Sequence, residues 1–165
     1  MQDARRLRVL FVVSELAPWV KTGGLAEVAA TLPVALHALG IDVRLLMPGY
    51  PALLRALPHA RAVADFAHLG GILPRASLRA AETPAGIPLF IVECPQLYAR
   101  PGGPYHDDKG VEWRDNHLRF GLLSRVAAAI AGGVDECRAR MRPAQLAALP
   151  DALTTMPSFP SRSDG

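Results

Sequence analysis

The residues of this chain best suited to chemistry are Lys21, Thr22, Gly23 and Gly24, with Glu27 about one helical turn further on. A lysine ammonium is a compact, mobile charge, threonine offers a hydroxyl, and two glycines leave the backbone open to close approach. When a helix starts directly after such a turn, its first amides have no intrahelical acceptor and point at whatever sits on the turn. These features describe a cradle for a phosphate or sugar phosphate. The same four letters equally describe a plain turn whose lysine faces water. Two established phosphate templates are absent: there is no G-x-x-x-x-G-K-S/T, and the glycines are not spaced as G-x-G-x-x-G.

The flanking residues supply the elements that must hold this turn. Arg8 to Val13 is a brief apolar, β-branched run and reads as a buried strand. Leu25, Val28, Ala29, Leu32, Ala35, Leu36 and Leu39 recur at helical spacing down to Gly40, a natural C′ residue. Ile41 to Met47 is a second strand-like run, so strand, glycine turn, helix and strand form a parallel βαβ unit with a right-handed crossover. Pro33, inside the helical pattern, predicts a kink or break near Ala29. Ligands gather beyond the carboxyl ends of parallel strands, where both the Lys21 turn and the Pro48–Pro51 stop fall.

Further along, Ala52 to Leu57 suits a short helix before the chain turns extended. Ser77 to Thr83 and Ile87 to Glu93 form a hairpin around Pro84, Ala85 and Gly86, and the second run is apolar enough to be central. Leu97 to His106, with prolines and paired glycines between Tyr98 and Tyr105, reads as a loop, and surface loops carry function more often than cores. Asp115 to Ala131 is a helix by the spacing of Leu118, Leu122, Val126, Ala129 and Ile130, with Asp115 as its N-cap. Asn116, His117 and Arg119 in its first turn are either partners for a phosphate or hydroxyl, or a solvated turn.

Composition narrows the classes. At 165 residues and 50% hydrophobic, the chain suffices for one domain with a real core. A net charge of +3 with scattered arginines does not imply nucleic acid. The apolar run after Arg5, Arg6 and Arg8 is too short for a secretory signal, and none approaches the ~20 residues that cross a bilayer, so a cytoplasmic protein without a membrane partner is expected. Cys94 and Cys137 are too few for a disulfide framework or zinc site, and Cys94 reads as a core thiol. The histidines share no metal-ligand spacing. No metal or cofactor is therefore expected.

V-V-S-E-L-A-P-W-V-K-T-G-G-L-A-E-V-A-A-T-L-P-V-A-L-H-A-L-G, followed by D-V-R-L-L-M-P-G-Y, then Y-A-R-P-G-G-P-Y and D-N-H-L-R-F-G-L-L-S, resembles the amino terminus of bacterial glycogen synthases and plant starch synthases. The resemblance covers roughly residues 7 to 133. It implies an α/β fold, the Rossmann-like parallel-sheet amino-terminal domain of a GT-B glycosyltransferase, and transfer of glucose from ADP-glucose to the non-reducing end of an α-1,4-glucan with retention. It also implies that Lys21 lies against the donor phosphates, Gly23 and Gly24 near the transferred sugar, and Tyr98 and Tyr105 near the cleft. Glu27 stands where the family usually has aspartate, keeping the charge with a longer reach.

From Val134 the text changes character. Residues 134–165 hold no histidine, tryptophan or strand-like run, and the Pro- and Ser-containing end reads as a disordered tail. The expectation is an incomplete synthase domain over 1–133, from a reading-frame change or truncation, whose catalytic residues lie largely elsewhere and which is inactive alone. A short paralogue with a brief helix over Arg142 to Leu149 is the other origin, and a non-catalytic nucleotide-sugar or glucan-binding module the other function. An NAD-type domain is disfavoured by the missing glycine fingerprint.

Overall fold

The computed structural model describes residues 7–67 and 69–132. Cys137, the tail from Val134 and the Arg142 to Leu149 helix lie outside the described residues. The chain begins with strand β1 (Arg8–Val12), helix α1 (Leu25–Ala38) and strand β2 (Asp42–Pro48). β1 and β2 pair in parallel from Arg8 opposite Asp42 to Val12 opposite Leu46, as the strand–turn–helix–strand order requires. Gly40 follows α1 with φ +82°, the left-handed conformation that ends a helix without penalty to a residue lacking Cβ.

A short helix α2 (Pro51–Ala56) leads to strand β3 (Arg61–Phe66), then β4 (Ala76–Glu82) and β5 (Pro88–Glu93). The sheet order is β1-β2-β5-β4-β3. β5 runs parallel to β2 and antiparallel to β4, and β3 is antiparallel to β4. The sheet is thus mixed: a parallel half carries the glycine turn, and an antiparallel half is made by the hairpin and β3, which composition marked only as extended. β2 and β5 occupy the middle, and Val43, Leu45, Leu46, Met47, Leu89, Phe90, Ile91 and Val92 are buried on them. Cys94, directly after β5, is a buried thiol.

Helix α3 (Pro95–Tyr98) and helix α4 (Asn116–Ala131) complete the described chain. α4 packs against β1 and β2 through a face that includes Leu122, Val126, Ala129 and Ile130. Three expectations are corrected. α1 runs unbroken through Pro33, since a proline removes only its own donor and here packs inward. Its buried stripe is Ala26, Ala29 and Pro33, so Leu25, Val28, Leu32 and Leu39, expected to point inward, are exposed. Small residues let the helix sit close to the sheet, and that choice turns the larger aliphatics outward. Asp115 occupies the N-cap position of α4 but makes no side-chain cap, because its carboxylate is taken by Arg100.

This burial pattern has a measurable consequence. Ile91→Ala, at a fully buried central position, should destabilise by ~2–5 kcal/mol in urea unfolding. Leu39→Ala, at a side chain 77% exposed, should change the midpoint by no more than ~0.5 kcal/mol. Equal effects would contradict the helix orientation.

Candidate functional site

The last rung of the β1–β2 ladder is the Val13 amide on the Leu46 carbonyl, at 2.9 Å. The chain then folds into a tight loop in which the Leu16 amide donates to Val20 O at 2.9 Å and the Trp19 amide to Leu16 O at 3.1 Å. The Ala17–Pro18 bond inside it is cis. The Ala17 amide reaches Ala26 O at 3.2 Å, tying the loop to the first turn of α1. Lys21 to Gly24 are therefore clamped from both sides, at the carboxyl end of β1.

What shapes the turn from within is Glu15, only 3% exposed. Its carboxylate accepts the Thr22 hydroxyl at 2.6 Å, the Thr22 amide at 2.7 Å and the Gly23 amide at 3.3 Å. The Tyr105 hydroxyl donates to the same group at 2.8 Å and lies 2.7 Å from Ser14 Oγ, which can donate to it in turn. Burial by itself would push the Glu15 carboxyl up, but the Thr22, Tyr105 and Gly23 donors outweigh it and hold it below the usual range. The Tyr105 hydroxyl is pushed up, first by desolvation.

Lys21 Nζ meets Glu27 Oε1 at 2.5 Å, with both side chains about half exposed. An exposed pair of this kind contributes only ~0–1 kcal/mol, so an arriving phosphate competes readily for the ammonium. Gly23 and Gly24 have no positive φ, and a Cβ at either would meet nothing within 4 Å. The fold itself does not demand glycine there; the open space lies on the outside of the turn. Gly24 is the N-cap of α1 and supplies no side chain to its first amides.

Tyr98 lies apart from this cluster. It sits in α3, is 1% exposed, and its hydroxyl donates to the Arg119 carbonyl at 2.6 Å, so only its ring is presented. That differs from the exposed loop position expected of it, and Tyr105 carries the polar role instead. Burial drives the Tyr98 and Tyr50 hydroxyls above the usual tyrosine range. A cavity of about 530 Å³ is lined by Lys21 and Thr22 together with Trp19, Tyr50, Arg55, Tyr98, Trp113 and Arg119. Its rim includes Gly102, whose φ of +114° and 2.7 Å Cβ clearance to His106 O admit no side chain. Arg100 fastens that rim by a two-pronged bond to Asp115, at 3.0 and 2.5 Å.

The sequence patterns of this turn and sheet can be set against known proteins. The starch synthase catalytic domain family matches residues 8–145. The chain belongs to that family. It is 56% identical over 130 residues to the glycogen synthase of Aromatoleum aromaticum and 54% identical over 124 to that of Dechloromonas aromatica, covering 79% and 75% of this chain. Those alignments take in 26% and 25% of the relatives, so this starch synthase family chain spans about a quarter of the length of the curated relatives it matches. Among solved structures it resembles the catalytic domain of starch synthase IV from Arabidopsis thaliana bound to ADP and acarbose. The TM-score is 0.57 at 26% identity, over 74% of this chain and 24% of that one.

In this family member, Lys21, Gly23, Gly24 and Glu27 are together at one helix terminus, and His117 is an exposed residue of α4. Two residues carry more of the structure than the sequence assigns them. Glu15 looked like a polar interruption after a strand; an acid immediately before a loop rich in donors was the available signal. Arg119 reads as either a phosphate or hydroxyl partner or part of a solvated turn, although its place one residue after Leu118 and three before Leu122 already puts it beside the apolar stripe.

Glu15 and Asp115 both sit below their ordinary values of 4.5 and 3.8, Asp115 chiefly through Arg100. Their contribution to stability is therefore present at neutral pH and is lost as pH falls below those values and through the depressed folded ones. Thermal melts between pH 7 and pH 3 should show that loss. Glu15→Gln should lower stability at pH 7 by ~1–3 kcal/mol and flatten the acid limb, since an amide cannot accept all four donors. An acid limb as steep as in the unsubstituted chain would remove Glu15 from the account.

Proposed function

We propose that this chain forms one wall of a retaining glucosyltransferase site, which moves glucose from ADP-glucose to the non-reducing 4-hydroxyl of an α-1,4-glucan in cytoplasmic glycogen synthesis. The observation that carries the proposal is the K-T-G-G turn: an ammonium, bare glycines and an uncapped helix N-terminus, converging at the end of a parallel strand. Family membership and about 50% identity to glycogen synthases support the choice of reaction. The ADP and acarbose bound to the Arabidopsis synthase support a nucleotide donor and a glucan-like acceptor.

The chemistry asks for positive potential where the leaving group gathers charge. As the bond from glucose to the diphosphate breaks, negative charge grows on the phosphate oxygens, and Lys21 with the first amides of α1 stabilises it there. Glu27 holds the lysine in place before the donor arrives and yields it to the phosphates. Gly23 and Gly24 leave the transferred sugar room against the backbone. Glu15, by gathering the Thr22 and Gly23 amides, keeps the turn in the shape that presents these groups. Tyr98 bears on the site only through its ring in the adjoining cavity.

A chimera provides the test. When residues 8–133 replace the matching part of the Aromatoleum glycogen synthase, transfer from radiolabelled ADP-glucose to glycogen should persist. Lys21→Gln in that chimera should lower kcat on the order of 100-fold. Transfer indifferent to Lys21 would remove its assigned role, and a folded but inactive chimera would count against the reaction.

A further inference from the structure

The cavity also holds a charge for which the turn gives no account. Arg119 is 1% exposed, and its Nε and Nη1 have no hydrogen-bond partner. Its guanidinium lies 5.3 Å from the Trp113 ring and 5.9 Å from the rings of Tyr50 and Tyr98. Those rings attract the cation but offer its edge N–H groups no acceptor oxygen. The hydroxyl of Tyr50 is also buried, and the polar group that bears on it is the Arg119 guanidinium itself. A buried charge left in this condition is costly unless something pairs with it.

Nothing in the lining does so. No aspartate or glutamate lines the cavity, although Lys21, Arg55, Arg100 and Arg119 all do. Lys21 is engaged by Glu27 and Arg100 by Asp115, leaving Arg55 and Arg119 without a contact ion pair among the described residues, although the Asp115 charge still bears on Arg119 through space. Two cations without a hydrogen-bonded carboxylate match a dianion better than a carboxylate, and a neutral hydroxyl would satisfy hydrogen bonds without touching the charge. A guanidinium edge suits the spacing of phosphate oxygens. At about 530 Å³ the space also exceeds what inorganic phosphate fills, and its walls include both tryptophans of the chain.

We propose that this cavity is an anion pocket, in which Arg119 and the Tyr50 hydroxyl receive the phosphate of a small organic phosphate whose carbon skeleton lies against Trp19 and Trp113. The proposal goes beyond the donor assignment and does not rest on it. It concerns Arg119 and Tyr50, whereas the donor assignment concerns the Lys21 turn.

Because Trp19 and Trp113 are the only tryptophans, intrinsic fluorescence reports on this pocket alone. The 165-residue chain, titrated with inorganic phosphate at constant ionic strength, should give a saturable fluorescence change. Tyr50→Phe should weaken the response about fivefold. Arg119→Gln should weaken it on the order of tenfold or more, provided circular dichroism shows that it folds. Lys21→Gln should weaken the phosphate response less than Arg119→Gln does, since that charge is exposed and already paired, while lowering ADP affinity if the donor assignment holds. The proposal is overturned by no response to phosphate, or by a response to maltotriose alone. It is equally overturned by a phosphate response that disappears in Lys21→Gln and survives in Arg119→Gln. Should Arg119→Gln not fold, unchanged affinity in Tyr50→Phe overturns it.

Discussion

The candidate site depends on a single buried carboxylate. Glu15 stands at the exit of β1, where the chain leaves the sheet, and collects two amides and two hydroxyls from segments about 90 residues apart in sequence. Each donor is individually a modest contribution, but together they decide where the turn points. A carboxylate with four donors is satisfied inside the protein, so the lysine beside it is left for partners outside. The division of labour is electrostatic: an internal acid organises the loop, while an external acid, Glu27, holds its cation at the surface.

Tyr105 extends that organisation to the other wall. Its hydroxyl joins Glu15 and Ser14, its carbonyl accepts from Asn116 at the start of α4, and its ring meets Phe120. The strand exit, the glycine-rich rim and the first turn of α4 thereby behave as one unit. Arg100 adds a second fastening through Asp115 and stacks over Trp113. Rigidity of this kind preserves the cavity between them, since a rim built of Pro101, Gly102, Gly103 and Pro104 has little apolar packing of its own to hold it open.

Away from the site, α1 shows how a helix can satisfy its sheet and still leave apolar surface uncovered. Ala26, Ala29 and Pro33 give the close approach, and Leu25, Val28, Leu32, Val34 and Leu39 remain exposed. Leu25, Val28 and Leu32 recur at helical spacing, so much of that uncovered surface lies along one side of the helix. The sheet, by contrast, is complete in its middle: β2 and β5 are buried along nearly their whole length, on both faces.

The sequence by itself determined the local elements and their order. Short β-branched runs bounded by glycine and proline are strands because they are too brief to be helices, and a helix between two of them forces parallel pairing of β1 and β2. The hairpin and central β5 follow from apolarity and turn chemistry in the same local way, and the family was legible because a long motif spans the first βαβ unit. Only the tertiary structure decided which face of α1 is buried, since spacing counts apolar residues without knowing how near the sheet must come. It alone made Glu15 a structural acceptor, turned Tyr98 inward, gave Asp115 to Arg100 instead of the helix cap, and buried Arg119 among three rings. Several of these outcomes rest on contacts between residues distant in sequence, such as Tyr105 on Glu15 and Tyr98 on Arg119. Their energies come from desolvation and pairing in a shared interior, and no local pattern encodes that.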